Sequence, residues 1–277
     1  MAADPYREFR QAVDRAEDKI DLGRAALTLA LTDYPDLDIG AYLARLDQLA
    51  VEVARRCDPG DDPVRSLAAL NYVLFDRHGF RGNEEEYYNP KNSFLNEVIE
   101  RKRGIPITLS ILYMEVAQRI GLALEGVGFP GHFLVKHRHA GGEIFIDPYH
   151  RGAIRSPDDL RRLLDGLSGG SVPLRREFLK TVSKKAILRR MLMNLKAIYL
   201  KSKDWVKLLA VLDRAVILEP GAAEELRDRG TAYLRLGLFS RARADFEKYL
   251  SLAPEAQDAA AIREQLVSLA KQVTMIH

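Results

Sequence analysis

Gly131-His132-Phe133-Leu134-Val135-Lys136 and Glu143-Ile144-Phe145-Ile146-Asp147-Pro148 decide how this chain is read. Each run reads as a short alternating strand, and the Gly-containing segment 138–142 between them predicts a tight hairpin loop. On this reading Lys136 pairs with Glu143, and the same pairing sum places His132 opposite Asp147. Directly opposed residues on one face of an antiparallel pair lie about 5 Å apart at Cβ. That distance suits a carboxylate that orients an imidazole, the second half of a nucleophile–His–acid triad. The nucleophile half is missing from this stretch.

Outward from the hairpin, Pro106 opens a helix expected to run to about Ile120, because proline is favoured at the first helical position and Gly121 stops the run. Upstream, residues 5–33, 38–56 and 63–77 have helical periodicity, interrupted by Tyr34-Pro35 and by Asp58-Pro59-Gly60-Asp61-Asp62-Pro63. Residues 79–92 read as an extended loop, 94–101 as a short helix behind Ser93, and 157–166 as a helix. Residues 169–171 (Gly-Gly-Ser) form a loop toward the C-terminal third.

That third repeats itself. Residues 194–220 align without gaps on residues 228–254, an offset of 34: Tyr199 matches Tyr233, Leu200 Leu234, Trp205 Phe239, Ala210 Ala244, and Pro220 Pro254. A 34-residue period with a mid-repeat aromatic, small residues where helices touch and a closing proline resembles the tetratricopeptide repeat. Such a helical pair cannot bury its apolar face alone, and residues 256–271 read as a capping helix.

Composition narrows the class. With 277 residues, 47% of them hydrophobic, the chain is long enough for one large or two ordinary domains with a packed core. A single cysteine, Cys57, excludes an internal disulfide framework and makes a reducing cytoplasm the default location. Asp4, Arg7, Glu8 and Arg10 stand where a signal peptide needs an apolar core. No apolar run approaches the roughly 18 residues of a membrane helix, so no membrane association is expected. The net charge of +3 hides an asymmetry: residues 1–62 carry 14 acids against 8 bases, and residues 175–214 carry 12 bases against 3 acids. Without interleaved aromatic residues or a nucleic-acid motif, the basic block reads as a solvated helix face, which argues against a nucleic-acid partner.

Four strings carry a family resemblance: Asn92-Ser93-Phe94-Leu95-Asn96, Arg103-Gly104-Ile105-Pro106-Ile107-Thr108-Leu109-Ser110, residues 126–135 and Phe145-Ile146-Asp147-Pro148. Together they resemble the transglutaminase-like core, and most closely the SirB-type bacterial proteins, in which that core precedes tetratricopeptide repeats. The resemblance implies an α+β fold: a transglutaminase-like (cysteine-protease-like) core with a small antiparallel sheet, then an α-helical repeat module. The expected domains are 1–180, a helical N-terminal region plus the core, and 181–277, two repeats plus the capping helix. In the family a nucleophilic cysteine opens the helix. Laying Arg103-Gly104-Ile105 on the family's Arg-Gly-x-Cys start puts Pro106 at that position. Proline has no nucleophile and no N–H, so cysteine-type activity is not expected. Cys57 lies in a different element near an expected helix C-terminus, where the dipole disfavours a thiolate.

His132 and Asp147 therefore read either as the remnant of a catalytic pair or as a buried polar pair locking the hairpin. Ser110 and Thr108 are the alternative nucleophiles for a hydrolase or acyltransferase using His132 and Asp147, and their plainer role is helix capping and back-bonding. Asn92, Asn96, Tyr88 and Arg103, with Tyr87 and Asn89 beside them, are the candidate ligand-binding residues; the plainer reading is a loop satisfying its own backbone. A metal reading from His132, His137, His139, His150 and Asp147 lacks paired-ligand spacing, and glycines 126, 128 and 131 form no phosphate loop, so no cofactor or metal is expected. The functional expectation is a non-catalytic binding or adaptor protein with a degenerate pocket and repeats that engage a protein or peptide partner.

Overall fold

Helix starts follow local chemistry throughout the computed structural model, which describes residues 5–57, 60 and 62–275. Asp4 and three positions of an expected loop, Asp58, Pro59 and Asp61, lie outside the described residues. The run 5–33 is not one helical stretch. It divides into α1 (Pro5–Val13) and α2 (Leu22–Thr28), with 3-10 turns at Glu17–Lys19 and Leu29–Thr32. The break falls in the charged segment 14–21, where Asp21 caps α2 by accepting the Arg24 N–H at 2.8 Å. Asp38 and Asp62 cap α3 (Ile39–Ala54) and α4 (Pro63–Asn71) in the same way, and α4 continues as a π-helical turn over Tyr72–Arg77. Two short parallel strands, β1 (Arg81–Gly82) and β2 (Arg103–Gly104), flank α5 (Leu95–Arg101) in sequence.

At the centre of this part stands α6 (Pro106–Arg119), buried at every position from Pro106 to Ala117. Apart from Thr108, Ser110 and Glu115 these residues are apolar on every face, the pattern of a helix enclosed by protein. Helices α2, α3, α4 and α5 pack around it, together with the sheet. That sheet is antiparallel, in the order β3 (Glu125–Val127), β4 (Leu134–His139), β5 (Gly142–Asp147), β6 (Ala153–Arg155). Helix α7 (Pro157–Ser168) follows with a capping box: Asp159 N–H donates to Ser156 Oγ, and Ser156 N–H to the Asp159 carboxylate. Helices plus a small antiparallel sheet make the fold α+β.

The hairpin register differs from the sequence reading by two residues. Lys136 opposes Phe145, Arg138 opposes Glu143 and His139 opposes Gly142, so the loop is only Ala140-Gly141. A two-residue slip keeps every side chain on its original face. Lys136 Nζ still reaches Glu143 Oε1 at 2.9 Å, now along a diagonal of the ladder, and also donates to the Leu179 carbonyl at 2.9 Å.

The chain forms two compact units, one made of Ala12–Met191 and the other of Tyr6–Gln11 with residues 192–275. The division falls inside α8 (Lys184–Ser202). The first turns of α8 are tied into the first unit, because Ile187 is buried and Lys184 Nζ donates to the Ile20 carbonyl at 2.6 Å.

In the second unit the 34-residue offset is exact in α9 (Trp205–Leu218) and α11 (Phe239–Leu252), separated by α10 (Ala223–Arg235) and followed by α12 (Ala259–Met275). The turns before α9 and α11 repeat down to single hydrogen bonds. Lys203 N–H donates to Leu200 O and Asp204 N–H to Tyr199 O; Gly237 N–H donates to Leu234 O and Leu238 N–H to Tyr233 O. Tyr199 and Tyr233 are both buried, but Ala210 is buried and Ala244 exposed; Ala242 is the small buried residue of α11. Phe246 packs so closely on Gly230 that a Cβ there would lie 2.6 Å from its ring. Among the described residues, no helix is long and apolar enough to cross a membrane.

Candidate functional site

Asp147 is the centre of the first unit's polar chemistry. It ends β5 at zero exposure, and its carboxylate caps the short turn Pro148–His150. Oδ1 meets His132 Nε2 at 2.9 Å and the His150 N–H at 3.3 Å; Oδ2 meets His150 Nδ1 at 2.7 Å and the Arg155 guanidinium at 2.8 and 3.2 Å. Burial pushes this carboxyl up, but hydrogen bonds from His132 and His150 and their charges outweigh it and hold it well below the usual carboxylate range. The His132–Asp147 contact expected from the hairpin is present, but His132 makes it from outside the paired positions of the ladder.

His132 precedes β4 rather than lying in it. Gly131, at φ +68°, makes the turn that a residue with a Cβ resists, and the His132 N–H donates to Phe129 O at 3.0 Å. The other side is fixed by Asn71, which donates to Gly152 O at 3.1 Å and accepts from the buried Tyr113 hydroxyl at 2.8 Å. Both imidazoles and the carboxylate are therefore held from α4, α6 and the sheet together. With Nε2 committed to Asp147, Nδ1 is the His132 ring nitrogen without a hydrogen bond among the described residues.

Aromatic rings wall the cluster. Tyr149 meets His132 edge to face at 5.8 Å and Tyr87 at 6.5 Å, and Tyr87 meets Tyr88 at 5.3 Å. The Tyr149 ring lies over Gly82, where a Cβ would approach it to 2.5 Å. Burial pushes the Tyr149 hydroxyl up to about 12, helped by the carboxylate of Glu84. Beyond the Gly131 turn, Arg190 donates to Phe129 O at 3.2 Å and lies over the Phe133 ring. Burial pushes the Arg190 guanidinium down, and only the Tyr87 hydroxyl opposes that shift. Among the described residues it has no carboxylate partner.

Of the residues named from sequence, Tyr88 joins this wall through Tyr87 and is itself 73% exposed. Asn92 is a structural residue: it donates to Glu86 O at 2.6 Å and accepts from Asn83 at 2.9 Å. Asn96 is buried with its Oδ1 unbonded, and Arg103 pairs with Glu85 at 3.3 Å. Neither is bonded to His132 or Asp147. Thr108 holds the start of α6, donating to Asn92 O at 2.8 Å and accepting from the Ile105 N–H at 3.1 Å. Ser110 Oγ is buried with no hydrogen-bond partner, so it is not joined to His132. Pro106 is buried at the first position of α6, and the half-buried Cys57 donates to Val53 O at the far end of α3.

His137 and His139 stack on each other in the hairpin's distal half. The three ligand atoms of His132, Asp147 and His150 lie within 4.8 Å of one another, close enough for one cation. Asp147 Oδ2 already takes two donors from Arg155, a fixed positive charge that disfavours a metal beside it. Sequence reasoning missed Tyr149, Arg155 and Arg190. Tyr149 follows directly on Asp147-Pro148, so its adjacency was readable; Arg155 and Arg190 arrive from later elements with no local spacing to reveal them.

Residues 40–193 match the transglutaminase-like superfamily, and residues 195–267 the tetratricopeptide repeat. A UPF0162 protein of Xylella fastidiosa is 36% identical over 264 residues, 94% of each chain. A UPF0162 protein of Vibrio cholerae is 27% identical over 265 residues, 95% of this chain and 98% of its own length. The F-box only protein 21 of Mus musculus is similar over 184 residues at 32% identity, 62% of this chain and 28% of that protein. With more than half its length in the superfamily match and nearly all of it shared with the UPF0162 relatives, the chain belongs to the transglutaminase-like superfamily and, within it, to the SirB-type UPF0162 proteins that carry tetratricopeptide repeats.

Proposed function

We propose that this is a non-catalytic binding or adaptor protein of the cytoplasm. Its transglutaminase-like domain would hold a ligand group at a degenerate pocket beside His132, and its repeats would engage a protein or peptide. Tetratricopeptide repeats are in general protein-interaction modules, which supports the second half of this reading.

One observation carries the first half. The His132–Asp147 pair is assembled, yet the helix start where the family resemblance places a nucleophile carries a buried proline. A proline can neither attack an acyl carbon nor donate an N–H to an oxyanion. The replacement hydroxyls do not meet the imidazole either, since Thr108 bonds to Asn92 and Ser110 has no partner. What the cluster offers instead is an imidazole, aromatic edges and the Arg190 cation, groups that bind.

The acyl-transfer alternative needs Ser110 or Thr108 to be acylated with His132 as base. Incubating the full chain with a fluorophosphonate and an activated ester, followed by intact mass, separates the readings. No adduct is expected. A stoichiometric adduct on Ser110 or Thr108 that disappears in His132→Ala would replace the adaptor reading with a hydrolase or acyltransferase.

A further inference from the structure

The first unit contains a cavity of about 660 Å³ that shares no residue with the His132 cluster. It lies among the approach to α2, the middle of α6, β3 and the segment 181–187 that opens α8. Its volume is within the range of about 300–1,000 Å³ typical of small-molecule sites. The body of the cavity is apolar, built from Leu22, Met114, Leu124, Val182 and Ile187.

The charge of its lining is lopsided. Glu17, Asp18, Glu115 and Glu125 line it against a single ammonium, Lys184. That ammonium is spent on backbone, donating to Ile20 O at 2.6 Å and lying 3.5 Å from Asp18 O. Arg119 and Arg138 pair with Glu115 and Glu125 at 2.7 and 2.9 Å from outside the lining, and Lys19 lies 3.5 Å from Asp18 in an exposed pair. Glu115 is 5% exposed; it accepts the Gly23 N–H at 2.9 Å, a contact so close that a Cβ on Gly23 would strike its carboxylate. Burial pushes the Glu115 carboxyl up, against the lowering effect of Arg119. A second cation nearby would favour its charged form.

We propose that this cavity binds a small aliphatic amine, its hydrocarbon body among Leu22, Met114, Leu124 and Ile187 and its ammonium at the Glu17, Asp18 and Glu125 mouth. An anionic head group at that mouth would meet the same three carboxylates. The apolar wall supplies affinity in proportion to the area it covers, and the carboxylates supply the choice of head group.

Decylamine and decanoate, kept below their micelle concentrations, share a tail and differ in charge. Calorimetry on the full chain should show saturable one-site binding of decylamine, at least about tenfold tighter than decanoate, the size of one 1.4 kcal/mol preference. The methionine methyl spectrum gives the location: Met114 lines the cavity and Met191 and Met193 do not, so only the Met114 signal should move. Gln118 is exposed on α6 at the cavity wall, so Gln118→Trp should keep the thermal melt and weaken decylamine at least about fivefold by covering the opening. Asp18→Asn, also at an exposed position, should weaken it by about two- to fivefold, as expected for a solvent-accessible charge. Equal affinity for the two head groups, no saturable binding, or a Met114 signal that stays put while decylamine binds would each overturn the proposal. None of these outcomes bears on the His132 pocket.

Discussion

Asp147 and Arg229 are opposite solutions to one problem, a charged group held inside a unit. Asp147 in the first unit is an acid with no exposure, surrounded by two imidazoles and a guanidinium. Arg229 in the second unit is a cation clasped by acids: a two-pronged contact with Asp245 at 2.7 Å on both prongs, and Asp213 at 3.0 Å. Tyr233 adds a hydroxyl to Asp213 at 3.3 Å. Burial pulls the Arg229 guanidinium down, but Asp245 and Asp213 more than offset it, so the group stays charged at any ordinary pH. Guanidinium–carboxylate forks brace helices. Imidazoles around a carboxylate also brace, but they keep a ring nitrogen and a proton available, which is what a ligand site needs and a brace does not.

The contrast predicts unequal costs. Asp147→Ala leaves the Arg155 cation and two imidazoles around an unfilled buried space, and should destabilise the first unit by about 3–5 kcal/mol. Hydrogen exchange of the β4 and β5 amides reads this locally. A loss below about 1 kcal/mol, the scale of an exposed pair, would mean the cluster re-solvates freely and is not the pinned site described above.

Arg229→Met should cost the second unit less, about 1.5–3 kcal/mol, because its ion pairs stay partly solvated at 18% side-chain exposure of the arginine. The chain's one tryptophan, Trp205, lies in that unit, so its fluorescence reports the denaturation midpoint there. A larger loss for Arg229→Met than for Asp147→Ala would invert the comparison.

Acid sharpens it further. The Asp147 carboxyl is held below its unfolded value of about 3.9, so its contribution is complete above that value and is lost as pH falls toward the folded one. The stability difference between the unmodified chain and Asp147→Asn should therefore hold from pH 7 to 5. Below about pH 4 it should shrink by up to 1.4 kcal/mol per pH unit. A difference already closing near pH 6 would show that imidazole protonation, not Asp147, sets the pH response.

How much of this was legible depends on how far apart in sequence the partners lie. The 34-residue repeat could be read because each unit uses the same turn and the same buried tyrosine. The Arg229 brace could not, since the positions 34 residues before Arg229 and Asp245 are Leu195 and Val211. The His132–Asp147 contact was found with the wrong register. Ala140-Gly141 closes the hairpin more tightly than residues 138–142 suggested; Lys136–Glu143 is a diagonal of the ladder, and His132 reaches Asp147 from the turn before β4. Strand twist brings such a diagonal within reach of long side chains, so an error of two residues left the Lys136–Glu143 contact intact. Arg155 was out of reach because β6 returns beside β5 only through a turn built on Arg151 and Gly152 at positive φ. Thr108 and Asn92, whose residue types suggest chemistry, hydrogen-bond to backbone groups of their own region.

The smallest effect tests the repeats against each other. Lys203 and Gly237, 34 residues apart, occupy the same left-handed turn at φ 57° and 72°, with matching hydrogen bonds to Leu200 and Leu234. A side chain at that φ costs about 1 kcal/mol, and Lys203 bears this cost while Gly237 does not. A Cβ on Gly237 would meet nothing within 4 Å, so Gly237→Ala tests the backbone alone and should lower stability by about 1 kcal/mol. The reverse change, Lys203→Gly, relieves the strain but adds chain entropy of about 0.5–1 kcal/mol to the unfolded state. The two terms nearly cancel, and the midpoint should move by less than about 0.5 kcal/mol equivalent. Trp205 sits two residues past Lys203 in a half-buried position, so the same fluorescence signal follows both variants. A neutral Gly237→Ala, or a Lys203→Gly that gains more than about 1 kcal/mol, would mean the two turns carry different loads despite their two matching hydrogen bonds.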